Sequence, residues 1–109
     1  GVLEFYKVRS LAEMRPNSWG LLQPDPQKSH SVDLELIDGF IIPALAYDGN
    51  GVRLGRGGGY YDQTLEKSSG QRLGVIFDNG LSSEPLPKET HDQSVDSVVT
   101  PKKWIQVKG

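Results

Sequence analysis

The amino-acid sequence predicts an α/β protein built on an open, mostly parallel sheet with flanking helices. Three observations carry that expectation. Two apolar runs, at residues 40–46 and 73–77, read as core strands because they are continuously rather than alternately apolar. Between them stands a glycine-rich turn followed by a helix-forming segment, so strand, loop, helix and strand come in the order of a βαβ unit, for which a parallel crossover is strongly preferred. Ligands of open α/β sheets bind at the carboxyl ends of such strands, which is where the glycine-rich turn falls.

Taken in order, residues 2–8 alternate weakly and read as a short strand. Ser10-Leu11-Ala12-Glu13 matches a capping box and predicts one or two helical turns, ended by Pro16 and Asn17. Residues 22–31, with Pro24, Pro26 and several polar side chains, read as a loop and as the most flexible segment. Phe40-Ile41-Ile42 reads as a buried strand, and Pro43 either ends its ladder or marks a sheet edge. Asp48-Gly49-Asn50-Gly51 is a turn. Residues 60–69 read as a helix in which Tyr61 and Leu65 share the inward face, with Gly70 as its closing residue. Residues 73–77 form the next strand, closed by Asn79-Gly80. Val98-Val99-Thr100 and Trp104-Ile105-Gln106-Val107 add edge strands or a hairpin, with Trp104 assigned to packing.

At 109 residues the chain is sized for a single domain, residues 1–109, with a modest core. Cysteine is absent, which removes disulfides and thiolate metal sites. A net charge of −2 and a pI near 5.6 give no broad basic field, so nucleic acid is not the expected partner. No apolar run approaches the ~20 residues of a membrane span and no signal-like N-terminus is seen, so a soluble, cytoplasmic protein without a membrane partner is expected.

The most informative segment is Gly51-Val52-Arg53-Leu54-Gly55-Arg56-Gly57-Gly58-Gly59-Tyr60-Tyr61-Asp62. Its glycines allow positive φ and close approach of the backbone to another molecule, so that their amides can converge on an anion. Arg53 and Arg56 add forked donors suited to phosphate or carboxylate. Asp62 falls in the first helical turn, where it reads equally as a partner of the helix dipole and as a ligand of Mg²⁺ accompanying phosphates. One of Tyr60 and Tyr61 is expected in the core, and the other to stack on a flat heterocycle. The better-known glycine loops do not fit. The Lys-Ser/Thr ending of a Walker loop is missing, Tyr60 stands where a dinucleotide fingerprint has its third glycine, and Gly59 stands where an EF-hand has its bidentate Glu.

The wider stretch from Ile41-Ile42-Pro43-Ala44 to Tyr60-Tyr61-Asp62 resembles the signature of the 5-formyltetrahydrofolate cyclo-ligases, also called methenyltetrahydrofolate synthetases. Leu73-Gly74-Val75-Ile76-Phe77-Asp78, Leu86-Pro87 with Glu89, His91-Asp92 and Val95-Asp96, and Trp19-Gly20-Leu21-Leu22-Gln23-Pro24 are similar to further parts of that family. Ala44 stands where the family usually has glycine. The resemblance covers residues 3–100 but only the C-terminal half of family members, which are nearly twice as long. It therefore implies a Rossmann-like cyclo-ligase fold and a site of which this chain supplies only part.

The resemblance implies ATP and Mg²⁺ as cofactors and a folate as substrate. The formyl oxygen of 5-formyltetrahydrofolate takes the γ-phosphoryl group, N10 attacks the activated carbon, and phosphate leaves to give 5,10-methenyltetrahydrofolate. It implies a catalytic part for Arg56 and Tyr60. Nucleotide binding falls to Arg53, Leu54, Gly55, Arg56, Gly57, Gly58, Gly59, Tyr60 and Tyr61, and folate contact to Trp19, Arg56, Gly57, Gly58, Gly59 and Tyr60. Asp62 and Asp92 are implied as metal ligands, Asp92 on the family pattern alone, while His91 is read as exposed or structural. Two other classes stay open: a non-catalytic nucleotide- or phosphate-binding module, and a structural protein that forms a homodimer or associates with a separate N-terminal half.

Overall fold

The computed structural model describes residues 3–55, 59–90 and 92–107. Its centre is a four-stranded sheet of β5 (Gly39–Pro43), β8 (Gln71–Val75), β9 (Ser97–Val99) and β10 (Trp104–Gln106), in the order β10-β9-β8-β5. β5 and β9 both run parallel to β8, whereas β10 returns antiparallel to β9. Three antiparallel pairs surround it: β1 (Phe5–Lys7) with β4 (His30–Val32), β2 (Met14–Pro16) with β3 (Leu22–Pro24), and β6 (Ala46–Tyr47) with β7 (Arg53–Leu54). Among the described residues there is a single α-helix, α1 (Tyr60–Glu66), together with three 3₁₀ turns at Leu11–Glu13, Leu34–Leu36 and Asp78–Gly80.

The α/β class stands, but the sheet is mixed, and one short helix replaces the expected flanking helices. The reason is connection length. Parallel strands need a crossover of a dozen or more residues, and only the spans from Pro43 to Gln71 and from Val75 to Ser97 provide one within the sheet.

Cross-strand register sets the core. Ile42, Gly74, Val98 and Ile105 are consecutive partners across the four strands, so their side chains share one face. On that face Phe40, Ile42, Tyr47, Leu65, Val95 and Val98 form the buried cluster. Phe5 of β1 meets Phe40 edge-on with ring centroids 5.5 Å apart. α1 contributes Leu65 and Thr64, and the Thr64 hydroxyl donates to the Tyr60 carbonyl and accepts the Leu3 N–H.

Several sequence expectations change. Phe40-Ile41-Ile42 is not buried throughout: Ile41 is 72% exposed, because β5 is an edge strand and its side chains alternate between a covered and an open face. Trp104 is 70% exposed on that same open face rather than packed. Residues 22–31 contain β3 and the start of β4 instead of one loop, and Asp25 orders the turn between them. Its carboxylate accepts the Gln27 N–H, and its carbonyl accepts the N–H groups of Lys28 and Ser29. Ser10 makes no side-chain cap, so only one 3₁₀ turn follows it. α1 is closed by Lys67, not Gly70. A Cβ on Gly70 would lie 2.6 Å from the Ile37 carbonyl oxygen, so its smallness serves packing rather than helix closure.

Candidate functional site

The crossover from β5 to β8 builds the site. β5 ends at Pro43, the β6–β7 hairpin follows, and the glycine loop leads into α1. The hairpin turn requires glycine at 51, where φ is +77° and a Cβ would fall 2.6 Å from the Val95 carbonyl oxygen. Gly59 occupies the N-cap of α1 at φ +71° in the left-handed region, which an L side chain enters at a cost of about 1–2 kcal/mol. Gly55 lies directly beneath the Arg53 guanidinium, so that a Cβ there would collide with it. Arg56, Gly57, Gly58 and His91 lie outside the described residues.

Arg53 is held in place from three sides. Its Nε donates to the Pro43 carbonyl at 2.8 Å, its guanidinium carbon sits 4.4 Å from the centroid of the Tyr61 ring, and Gly55 passes beneath. The guanidinium lies on the cavity lining over the Tyr61 ring face and also within hydrogen-bonding reach of the Tyr47 phenol. Nearby, the Tyr47 hydroxyl donates to the Ile42 carbonyl at 2.6 Å. Burial pushes its phenol up to about 12, with the neighbouring Arg53 charge opposing part of the shift.

These elements line an open cavity of about 780 Å³. Its lining includes Arg53, Leu54, Gly55, Gly59, Tyr60, Tyr61 and Asp62 from the β7–α1 segment and Pro87, Lys88, Glu89 and Asp92 from the segment before β9. The structure thus brings together every described site residue named from the sequence except Trp19. That residue is 84% exposed in a turn ordered by the Asn17 side chain, away from the described lining of the cavity. Asp62 Oδ1 accepts the Gln93 N–H at 2.9 Å, and Asp92 Oδ2 accepts the Glu89 N–H at 2.9 Å.

Among the described residues no three His, Cys, Asp or Glu side chains are grouped to hold a metal on their own. Two carboxylates on one cavity fit Mg²⁺ better than a closed cage would, because that ion usually keeps waters and phosphate oxygens in its shell. Lys88 went unnoticed in the sequence. Asp48, a 2% exposed carboxylate, reads in the sequence only as part of a turn. The Asp48-Gly49-Asn50 order signals its local turn bonds, but no local signal announces its bond to Leu86.

Residues 1–101 match the model of the 5-formyltetrahydrofolate cyclo-ligase family. A 5-formyltetrahydrofolate cyclo-ligase of Mycolicibacterium smegmatis is 39% identical over 89 residues, which are 80% of this chain and 45% of that protein. The Escherichia coli enzyme of the same name is 35% identical over 106 residues, 94% of this chain and 58% of that one. The solution structure of Aquifex aeolicus 5,10-methenyltetrahydrofolate synthetase superimposes with a TM-score of 0.81 at 32% identity, over 97% of this chain and 53% of that chain. The chain spans about half the length of the curated relatives it matches. It belongs to the 5-formyltetrahydrofolate cyclo-ligase family.

Proposed function

We propose that this chain carries the nucleotide-phosphate part of a 5-formyltetrahydrofolate cyclo-ligase site. The reaction is the ATP- and Mg²⁺-dependent closure of 5-formyltetrahydrofolate to 5,10-methenyltetrahydrofolate. The observation that carries it is the meeting of Arg53, Gly59, Asp62 and Asp92 on one cavity of about 780 Å³, a volume within the ~300–1,000 Å³ usual for small-molecule sites.

Phosphoryl transfer depends on positioning and charge neutralisation rather than on a covalent enzyme intermediate. Arg53, fixed over Tyr61, points its remaining donors at phosphate oxygens, and the glycine loop admits them without Cβ obstruction. Asp62 and Asp92 are the carboxylates that would hold Mg²⁺. When bound, the ion neutralises phosphate charge. Tyr60, 52% exposed at the cavity rim, offers a ring face to a heterocycle. In this reading the formyl oxygen takes the phosphoryl group and N10 closes on the activated carbon with loss of phosphate. Because the relatives are about twice as long, the rest of the folate and nucleotide contacts come from polypeptide matching their other half.

The open face of the sheet supports that division. Pro43, Val75, Val99 and Trp104 are consecutive cross-strand partners on it, with Ile41 alongside. Contiguous apolar surface of this kind marks an interaction face. The N-terminal half takes that face when present, and a second copy takes it otherwise. The test is to supply 5-formyltetrahydrofolate, ATP and Mg²⁺ and to follow the methenyl chromophore. The chain alone should turn over little, and addition of the N-terminal half of the Escherichia coli relative should restore product formation. No product with the halves combined, under conditions where the intact relative works, would count decisively against the proposal.

A further inference from the structure

The two sides of the cavity come from segments far apart in sequence, and two carboxylates bridge them: Asp62, which accepts the Gln93 N–H, and the buried Asp48. Asp48 Oδ1 accepts the backbone N–H groups of Asn50 at 2.9 Å and Val52 at 3.0 Å, shaping the turn between β6 and β7. Its other oxygen, Oδ2, accepts the N–H of Leu86 at 2.8 Å, 38 residues away. Burying a carboxylate is costly unless hydrogen bonds replace its water, and these three amides do so.

The segment that Leu86 belongs to is tied to the same hairpin at two further points. The Ser82 N–H donates to the Tyr47 carbonyl at 2.7 Å, and the Val95 N–H donates to the Gly51 carbonyl at 3.0 Å. All three anchors therefore fall on residues 47–51, just before Arg53. Pro87, Lys88, Glu89 and Asp92 lie between the middle and last anchors and line the same cavity as Arg53 and Asp62. Asp48 itself is not part of the cavity lining.

We infer that Asp48 is a positioning residue for this site: its buried carboxylate sets the spacing between the arginine-bearing hairpin and the segment that carries Glu89 and Asp92. The inference rests on the reading of the cavity as a nucleotide-phosphate site. Charge and not shape alone is required. A carboxamide has one acceptor oxygen and turns an N–H₂ donor toward a third donor. In Asp48→Asn the oxygen stays with the turn and Leu86 loses its acceptor, so that residues 83–92 are left between the Ser82 tie and the ties of Gln93 and Val95.

The test uses the full 109-residue chain as the parent, with Asp48→Asn, Leu86→Pro and the double variant. Leu86→Pro deletes the donor itself. Residue 86 precedes Pro87 and is already biased toward the extended backbone that proline accepts. Amide hydrogen exchange and calorimetric titration with ADP and Mg²⁺ are read together. Asp48→Asn should speed exchange at Leu86 and Glu89 by about tenfold or more while β8 and β9 stay protected. It should weaken ADP binding by about tenfold, the scale of one lost hydrogen bond to a charged group. The double variant should bind no more weakly than either single one, because both remove the same link.

Unchanged exchange in the segment, unchanged affinity in a folded variant, or fully additive losses would each overturn the inference. If Asp48→Asn does not fold, Leu86→Pro alone decides, since it leaves the turn bonds in place. Failure of the unaltered chain to bind ADP would overturn the nucleotide reading instead, while the exchange rates would still decide the anchoring.

Discussion

The tip of the Tyr47 ring rests on Gly74 of β8, so closely that a Cβ on that glycine would lie 2.5 Å from the phenol Cζ. Tyr47 is wholly buried and its hydroxyl is tied to the Ile42 carbonyl, leaving the ring no direction of retreat. Gly74→Ala should therefore destabilise the fold by about 1–3 kcal/mol, the usual cost of overpacking a tight core. Tyr47→Phe removes only the hydroxyl and should cost about 1 kcal/mol. Urea unfolding followed by circular dichroism measures both, and an alanine substitution without effect would mean that the ring has room to move.

The same tyrosine makes stability depend on alkaline pH. Its phenol is raised from 10.0 to about 12 by burial, so the folded state holds the proton more tightly than the unfolded state. The associated stabilisation is complete below the unfolded value and is lost as pH rises from about 10 to about 12. Unfolding midpoints should fall across that window in the unaltered chain and fall less in Tyr47→Phe. Parallel pH profiles for the two proteins would assign the alkaline loss to other groups.

Arg53 should matter to ligand more than to fold. Arg53→Ala is expected to weaken ADP binding by about tenfold or more, on the scale of a charge-assisted hydrogen bond. Arg53→Lys should not restore it, because an ammonium supplies neither the Nε bond to the Pro43 carbonyl nor a planar face for Tyr61. Gly55→Ala, whose Cβ would meet the Arg53 guanidinium and displace it from its place over Tyr61, should lower affinity with a small change in stability. Titration calorimetry beside thermal unfolding separates these effects. Full affinity in Arg53→Ala would remove the arginine from the site.

The proposed function places the metal dependence on Asp62 and Asp92. In the unaltered chain, ADP affinity should rise with Mg²⁺ concentration. In the Asp62→Asn, Asp92→Asn double variant that rise should flatten, since a carboxamide is a poor ligand for a hard cation. The carboxamide introduced by Asp62→Asn still offers an oxygen to the Gln93 N–H, so helix α1 stays in place. An undiminished Mg²⁺ response would locate the ion elsewhere.

What the sequence disclosed, and what it did not, follows from the range of each interaction. The strand at 40–43, the turn at 48–51 and the glycine-loop helix entry are written in adjacent residues, and the cavity wall from Arg53 to Asp62 is legible for that reason. β4 was not, because its partners Phe5, Tyr6 and Lys7 lie about 25 residues upstream and three-residue strands have no period of their own. The parallel pairing of β5 with β8 was readable from the intervening crossover. The antiparallel return of β10 was foreseen only as one of two options. Burial at Ile41 was overstated because an apolar run does not show which face of its sheet is covered. The bond between Asp48 and Leu86 joins two segments that share no pattern, and only the fold reveals it.

Ile41 and Trp104 supply the last prediction. They are 72% and 70% exposed, and both belong to the sheet face on which Pro43, Val75 and Val99 follow one another in register. Large apolar side chains gathered on one face gain about 25 cal/mol for each Å² taken out of water. A two-fold pairing closes such a face with a single self-complementary patch. Light scattering of the isolated chain at micromolar concentration should report about twice its 12.0 kDa mass. Ile41→Lys with Trp104→Lys should return it to the monomer while leaving circular dichroism unchanged, because neither side chain belongs to the buried cluster. Adding the N-terminal half of the Escherichia coli relative should also dissolve the dimer, since both partners compete for one surface. A chain that is monomeric before substitution would show that the open face needs no cover, and a dimer that survives both lysines would place the contact on another face.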